Sequence, residues 1–275
     1  MENNGQQGAA SGQRINELYL KDVSFVRLMT RRIYNVLLIA NPYDAFMLED
    51  DGRIDEKIFI EYTNLGLRYP PRFTQVSTQD EAEEQLEGGS FELVICMPGS
   101  DNNDAFDIAR HVKEFRPDLP IVVLTPFSHG ITQRIQEVDM SDFDYVFCWL
   151  GDTYLLLSII KLIEDKMNLE HDIREGGVQM LLLVEDSIRY YSAILPELYQ
   201  YVLKQSLDFA TEALNAHQAT LRQRGRPKIV LARTYEEAQE LFDKYISNTL
   251  GIISDCRMPH GGVKEADAGF RLLHY

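Results

Sequence analysis

Leu181-Leu182-Leu183-Val184-Glu185-Asp186-Ser187 is answered downstream by Ile252-Ile253-Ser254-Asp255-Cys256-Arg257-Met258-Pro259. Each stretch is a short apolar run ending in carboxylates, the pattern of a buried parallel strand that delivers acidic side chains to the carboxyl edge of a sheet. In open α/β sheets that edge is where ligands bind. Three carboxylates gathered from two strand ends repel one another, so the cluster makes chemical sense with a hard divalent cation such as Mg2+ among them. Asp255 then reads as a nucleophile beside a metal.

The same elements occur twice, with a polar boundary near His171–Gly177. In the first copy, strands are expected at Tyr34–Ala40, Arg72–Ser77, Phe91–Met97, Ile121–Thr125 and Asp144–Cys148. Helices fit at Gln79–Glu87 and Asp104–Phe115. A last helix, capped by Asp152, carries Leu155, Leu156, Ile159, Ile160, Ile163 and Met167 on one face. Strands and helices alternating at this spacing predict parallel sheets covered on both faces.

The pair Glu185–Asp186, the later Asp255 and the Met258-Pro259 that follows it resemble the receiver domain of response regulators. That resemblance implies two flavodoxin-like, doubly wound parallel sheets in tandem, the second incomplete at its C-terminal end. It implies Mg2+ held by Glu185, Asp186, Asp255 and the backbone carbonyl of Arg257, with Asp255 accepting a phosphoryl group from a histidine kinase or phosphotransfer protein. In the first copy the aligned positions are Ala40 and Asn41 for the acidic pair, Met97 for the phosphoacceptor and Cys148 for the family's strand-five lysine. Only Thr125 matches the family's hydroxyl residue. A thioether accepts no stable phosphoryl group and Ala40 offers no oxygen to a cation, so the first copy resembles a pseudo-receiver.

The expected organisation is a polar tail and helix over 1–30, a degenerate receiver over 31–170 and a second receiver over 178–275. The second carries a long helical insertion over 187–228: one helix with Tyr191, Ile194, Leu195, Leu198, Tyr201 and Val202 at helical spacing, kinked near Pro196, then a segment from Ser206 to Arg224. The insertion could pack within the fold, pack on the first receiver, form a homodimer or touch another domain. After Gly261-Gly262 the pattern runs to Gly269-Phe270-Arg271-Leu272-Leu273 and stops. The chain therefore reads as a fragment, with strands four and five lacking counterparts and the flank of strand three exposed.

A further resemblance rests on Leu18–Asp22, Asn35–Ala40, Asp44–Gly52 and Arg68–Val76. These stretches are similar to the N-terminal region of phosphoenolpyruvate synthase or pyruvate phosphate dikinase-like multidomain proteins. It implies downstream domains with a nucleotide- and pyruvate-binding module.

A net charge of −16, from 27 basic and 43 acidic residues, argues against a nucleic-acid partner over most of the chain. No apolar run approaches the roughly 20 residues needed to cross a bilayer, so no membrane partner is expected. Cys96, Cys148 and Cys256 are an odd number without metal-ligand spacing and read as reduced cytoplasmic thiols. Glu49-Asp50-Asp51-Gly52 lacks the alternating acids of a calcium loop and reads as a solvated loop. Cys256 and His260 make two metal ligands without partners, and His111 and His129 carry no pattern. Arg222, Arg224, Arg226 and Lys228 read as cations favoured at a helix carboxyl end, with pairing to acids elsewhere as the alternative.

Two functional readings follow: a phosphoacceptor switch centred on Asp255, or a tandem receiver scaffold that is never phosphorylated. Enzyme chemistry within these residues is the weakest reading, since the chain has no Gly-rich phosphate loop, nucleophile elbow or metalloprotease helix.

Overall fold

The computed structural model describes residues 26–49, 53–98, 105–126, 142–211, 213 and 216–274. The polar tail, most of the expected N-terminal helix, Asp50–Gly52 and His129 fall outside them. The chain falls into two units: Arg32–Glu164 with Glu185–Gln200, and Met1–Arg31 with Asp165–Val184 and Tyr201–Tyr275.

The first unit runs β1 (Asn35–Ile39), α1 (Pro42–Glu49), α2 (Ile54–Asn64), β2 (Arg72–Val76), α3 (Gln79–Gly88), β3 (Leu93–Cys96), α4 (Ala105–Phe115), β4 (Ile121–Pro126) and β5 (Tyr145–Trp149). The helix α5 (Thr153–Gly176) begins in it. All five strands are parallel, in the order β2-β1-β3-β4-β5, which is the flavodoxin-like order. β3 is apolar and buried throughout, as a strand covered on both faces must be. Thr78 starts α3 with a capping box, its hydroxyl accepting the Glu81 N–H while the Glu81 carboxylate reaches back. Both sheet edges are blunted: Asp55 accepts the Phe73 N–H on β2, and Ser192 accepts the Cys148 N–H on β5.

The second unit contains β6 (Met180–Val184), the latter part of α6 (Ile188–Thr211), α7 (Ala216–Arg224), β7 (Lys228–Ala232), α8 (Tyr235–Tyr245) and β8 (Thr249–Ser254). A hairpin, β9 (Met258–His260) with β10 (Val263–Glu265), leads into α9 (Ala268–His274). Its sheet is parallel in the order β7-β6-β8. That order repeats β2-β1-β3, and the registers match: Asn35 faces Arg72 as Met180 faces Lys228, and Ile39 faces Cys96 as Val184 faces Ser254. The helix start repeats too, since Thr234 caps α8 through the Glu237 N–H and Ala82 and Ala238 are both fully buried. Among the described residues no strand pairs with the outer edge of β8, where Leu250 is exposed.

The insertion is one long helix with Pro196 inside it, followed by a short helix that starts at Ala216 rather than Ser206. Its large buried side chains lie four apart, at Tyr191, Leu195, Tyr199 and Leu203. Tyr201, expected on the apolar face, is exposed, because the i, i+4 row rather than the i+3 row faces inward.

Buried charges organise the second unit. Arg226 grips the Asp165 carboxylate with two nitrogens at 2.8 and 2.9 Å, and Lys228 lies 2.9 Å from Asp172. Asp172 accepts the Met29 N–H, and Asn168 both accepts the Arg31 N–H and donates to the Arg31 carbonyl. The basic cluster is therefore not a solvated helix end throughout: Arg226 and Lys228 are buried and paired with acids of α5. Burial pulls the Lys228 ammonium below its usual range despite those acids. In the first unit Lys161 holds Glu164 at 2.7 Å over the Tyr62 ring, and Glu164 accepts the Ile33 N–H. Among the described residues no helix is long and apolar enough to cross a membrane.

Candidate functional site

The carboxyl ends of β6 and β8 lie side by side, Val184 in register with Ser254. The N–H of Asp255 continues the ladder by donating to the Val184 carbonyl at 2.9 Å. Glu185 and Asp186 are the next two residues along the chain from Val184. Glu185, Asp186 and Asp255 each offer a carboxylate oxygen, all within 4.8 Å of one another. Three hard oxygen donors at that spacing suit a Mg2+-sized cation, and without one they repel.

Each acid has its own setting. Glu185 is buried and accepts the Ser187 N–H at 2.9 Å, which turns the chain into α6. Asp186 and Asp255 are half-buried. Asp255 accepts the Cys256 N–H with Oδ1 at 2.6 Å, while the Ser254 hydroxyl donates to the Asp255 carbonyl at 2.8 Å. Arg257 is exposed, between Asp255 and the buried Met258 that opens β9.

The residues after Asp255 form a feature that the sequence reading missed. Gly261 and Gly262, both at positive φ, make the two-residue turn between the paired His260 and Val263. Both central residues at positive φ are what a type I′ hairpin turn requires. A Gly-Gly pair between Met-Pro-His and Val-Lys-Glu was the available signal. Cys256 and His260 do not form a metal pair: Cys256 is exposed, and His260 lies 3.3 Å from Glu265 and 4.5 Å from the Tyr235 ring. His111 pairs with Glu83 at 2.6 Å.

In the first unit the same backbone frame carries different side chains. The Met97 N–H donates to the Ile39 carbonyl at 2.8 Å, the counterpart of Asp255 to Val184. Met97 and Ala40 are buried, and Asn41 uses its side-chain oxygen to accept the Asp44 N–H at the start of α1. Thr125 is buried near the end of β4. Cys148 is buried, and that burial pushes its thiol up.

No family model matches the chain, and no curated protein sequence matches it. Among solved structures it is similar to response regulator receiver domains over about half its length. The response regulator TrrA of Thermotoga maritima, crystallised with Mg2+ and BeF, is 16% identical, with 48% of this chain and 99% of that one covered at a TM-score of 0.34. A CheY-like receiver domain protein of Methanospirillum hungatei is 13% identical, with 52% and 99% covered at 0.36. NtrX of Brucella abortus, solved with ADP, is 7% identical, with 82% and 61% covered at 0.39.

Proposed function

We propose that the β7-β6-β8 sheet, with the Glu185–Asp186 turn that directly follows β6, is a receiver-type phosphoacceptor in a signalling protein, with Asp255 as the residue that is phosphorylated. The observation that carries this reading is the meeting of Glu185, Asp186 and Asp255 at the carboxyl edge of a parallel sheet, within 4.8 Å. Oδ1 of Asp255 is engaged by the Cys256 N–H, which leaves Oδ2 as the attacking atom. That oxygen forms a bond to the phosphorus of a phosphohistidine as the P–N bond breaks, and the departing imidazole takes up a proton. The products are an aspartyl phosphate and a neutral histidine. Glu185, Asp186, Asp255 and the Arg257 carbonyl would hold Mg2+, which supplies neutralisation of the phosphoryl oxygens when bound. The phosphodonor is a histidine kinase or phosphotransfer protein, and the added charge biases an output elsewhere in the protein.

The five-stranded sheet, on this reading, is a pseudo-receiver: its frame matches, and Met97, Ala40 and Asn41 stand where the acids stand beside the β7-β6-β8 sheet. The likeness of Asn35–Ala40 and Arg68–Val76 to phosphoenolpyruvate synthase or pyruvate phosphate dikinase-like proteins would make the output a nucleotide- and pyruvate-binding module.

The test is intact mass after incubation with acetyl phosphate and Mg2+. One phosphoryl group is expected on the wild-type chain and none on Asp255→Asn. An unmodified wild-type chain, with a Mg2+-insensitive melting midpoint, would instead make the tandem units a scaffold.

A further inference from the structure

Between Asp255 and α9 the chain folds into the β9–β10 hairpin. The hairpin is fastened on two sides. Toward α8, the Gly261 N–H donates to Oε1 of Glu236 at 2.6 Å, and the His260 ring lies against Tyr235 with centroids 4.5 Å apart. Toward α9, Glu265 at the end of β10 pairs with Arg271 at 3.1 Å. Between those fastenings and β8 lies the short run Asp255-Cys256-Arg257. Its exit is Met258, fully buried in the core of this unit, and its flank is α9, whose Gly269 N–H donates to the Cys256 carbonyl at 3.1 Å.

Glu236 serves two elements: in the first turn of α8 its carboxylate meets its own backbone N–H and the Thr234 side chain, and it also reaches the hairpin. It is exposed in the first turn of α8, while the cap is made by Thr234 and Glu237. Its carboxyl is held below the usual range chiefly by the Gly261 N–H, so the bond is charge-assisted over the neutral range. A side chain anchored at a helix start that also reaches a backbone amide of another element ties that element to the helix.

We propose that Glu236 is a positioning residue for the Asp255 site: by holding the hairpin at Gly261, it fixes the Asp255–Arg257 backbone and with it the oxygens presented to a cation. The proposal rests on the reading of Asp255 as the phosphoacceptor. Groups that orient ligands from one shell out are worth about tenfold or more in metal affinity.

The test uses the full chain as wild type, Glu236→Ala and Glu236→Gln. Hydrogen exchange, read without metal or phosphodonor, is expected to speed up in Glu236→Ala over Cys256–Gly261 and to stay unchanged over β6 and β7. Mn2+ half-saturation, followed by its EPR signal, is expected to rise about tenfold in Glu236→Ala and to return toward wild type in Glu236→Gln, whose amide oxygen still accepts the Gly261 N–H. The melting midpoint should move little, because Glu236 is exposed. Exchange and half-saturation both at wild-type values in Glu236→Ala would overturn the proposal. A wild-type chain that binds no Mn2+ would overturn the phosphoacceptor reading, and with it the positioning role.

Discussion

A Cβ on Gly269 would stand 2.1 Å from the carbonyl oxygen of Asp255 and 2.9 Å from the Cys256 Cα. Both neighbours are backbone, so neither can rotate out of the way, and α9 meets the Asp255 loop at a distance only glycine permits. Gly269→Ala must therefore displace either the helix or the loop. Overpacking of this kind costs about 1–3 kcal/mol. A lower urea midpoint is expected, together with a slower gain of phosphoryl mass from acetyl phosphate. A Gly269→Ala chain with wild-type values for both would mean that the approach is looser than described.

Asn168 serves the backbone of Arg31 twice, as acceptor of its N–H at 2.9 Å and donor to its carbonyl at 2.7 Å. Asn168→Ala removes both bonds at a part-buried site where water can reach Arg31, a loss of about 0.5–1.5 kcal/mol. Asn168→Asp keeps the acceptor and loses the donor, so its urea midpoint should fall between those of wild type and Asn168→Ala.

Lys161 gives the fold an alkaline limit. Burial alone would lower its pKa, but the Glu164 carboxylate and Tyr62 outweigh that and raise it above the usual lysine value. A base whose folded pKa is raised contributes stability that is complete below the unfolded value of about 10.4 and is lost as pH climbs through the folded value. The stability difference between wild type and Lys161→Met should then be level from about pH 8 to pH 10 and shrink above that range. Equilibrium unfolding in urea at each pH measures it. A difference that grows with pH would reverse the assigned direction.

The outer edge of β8 presents Leu250 at 53% exposure, and the strand Thr249–Ser254 contains no charge and no proline. An unpaired apolar edge recruits other strands. Sedimentation velocity at rising concentration should show self-association of the wild-type chain, and Leu250→Lys should suppress it while changing folding stability by no more than about 0.5 kcal/mol. Equal association of the two chains would place the contact elsewhere.

Strand positions were legible because a strand buried on both faces has to be apolar at every residue. Leu93–Cys96 and Met180–Val184 therefore stand out from the amphipathic helices beside them, whereas Lys228–Ala232, which opens on a lysine, was not read as a strand. The acids of the site were legible for the same reason, since each interrupts such a run at its carboxyl end. What escaped was governed by partners distant in sequence. Lys228 opens an apolar strand, and its burial makes sense only once Asp172 lies 2.9 Å away. Glu164, Asn168 and Asp172 recur every fourth residue on α5, a polar row that could have been noticed on so apolar a helix. Which backbone groups they serve is not written in the spacing. The hairpin was missed although Gly261-Gly262 signals it, because its short strands read as loop.

Met97 and Asp255 sit in one hydrogen-bonded frame built twice by a single chain. The first instance closes with methionine, alanine and asparagine at the key positions, so the frame has no need of carboxylates in order to form. The three acids of the second instance repel one another when no cation lies among them. Transplanting the first set, as Glu185→Ala, Asp186→Asn and Asp255→Met together, should yield a chain that outlasts its parent in chelator and no longer gains from added Mg2+. One copy of the frame is thus free of that repulsion while the other carries it, and the difference between the melting curves of parent and transplant would read out what three clustered carboxylates cost this fold.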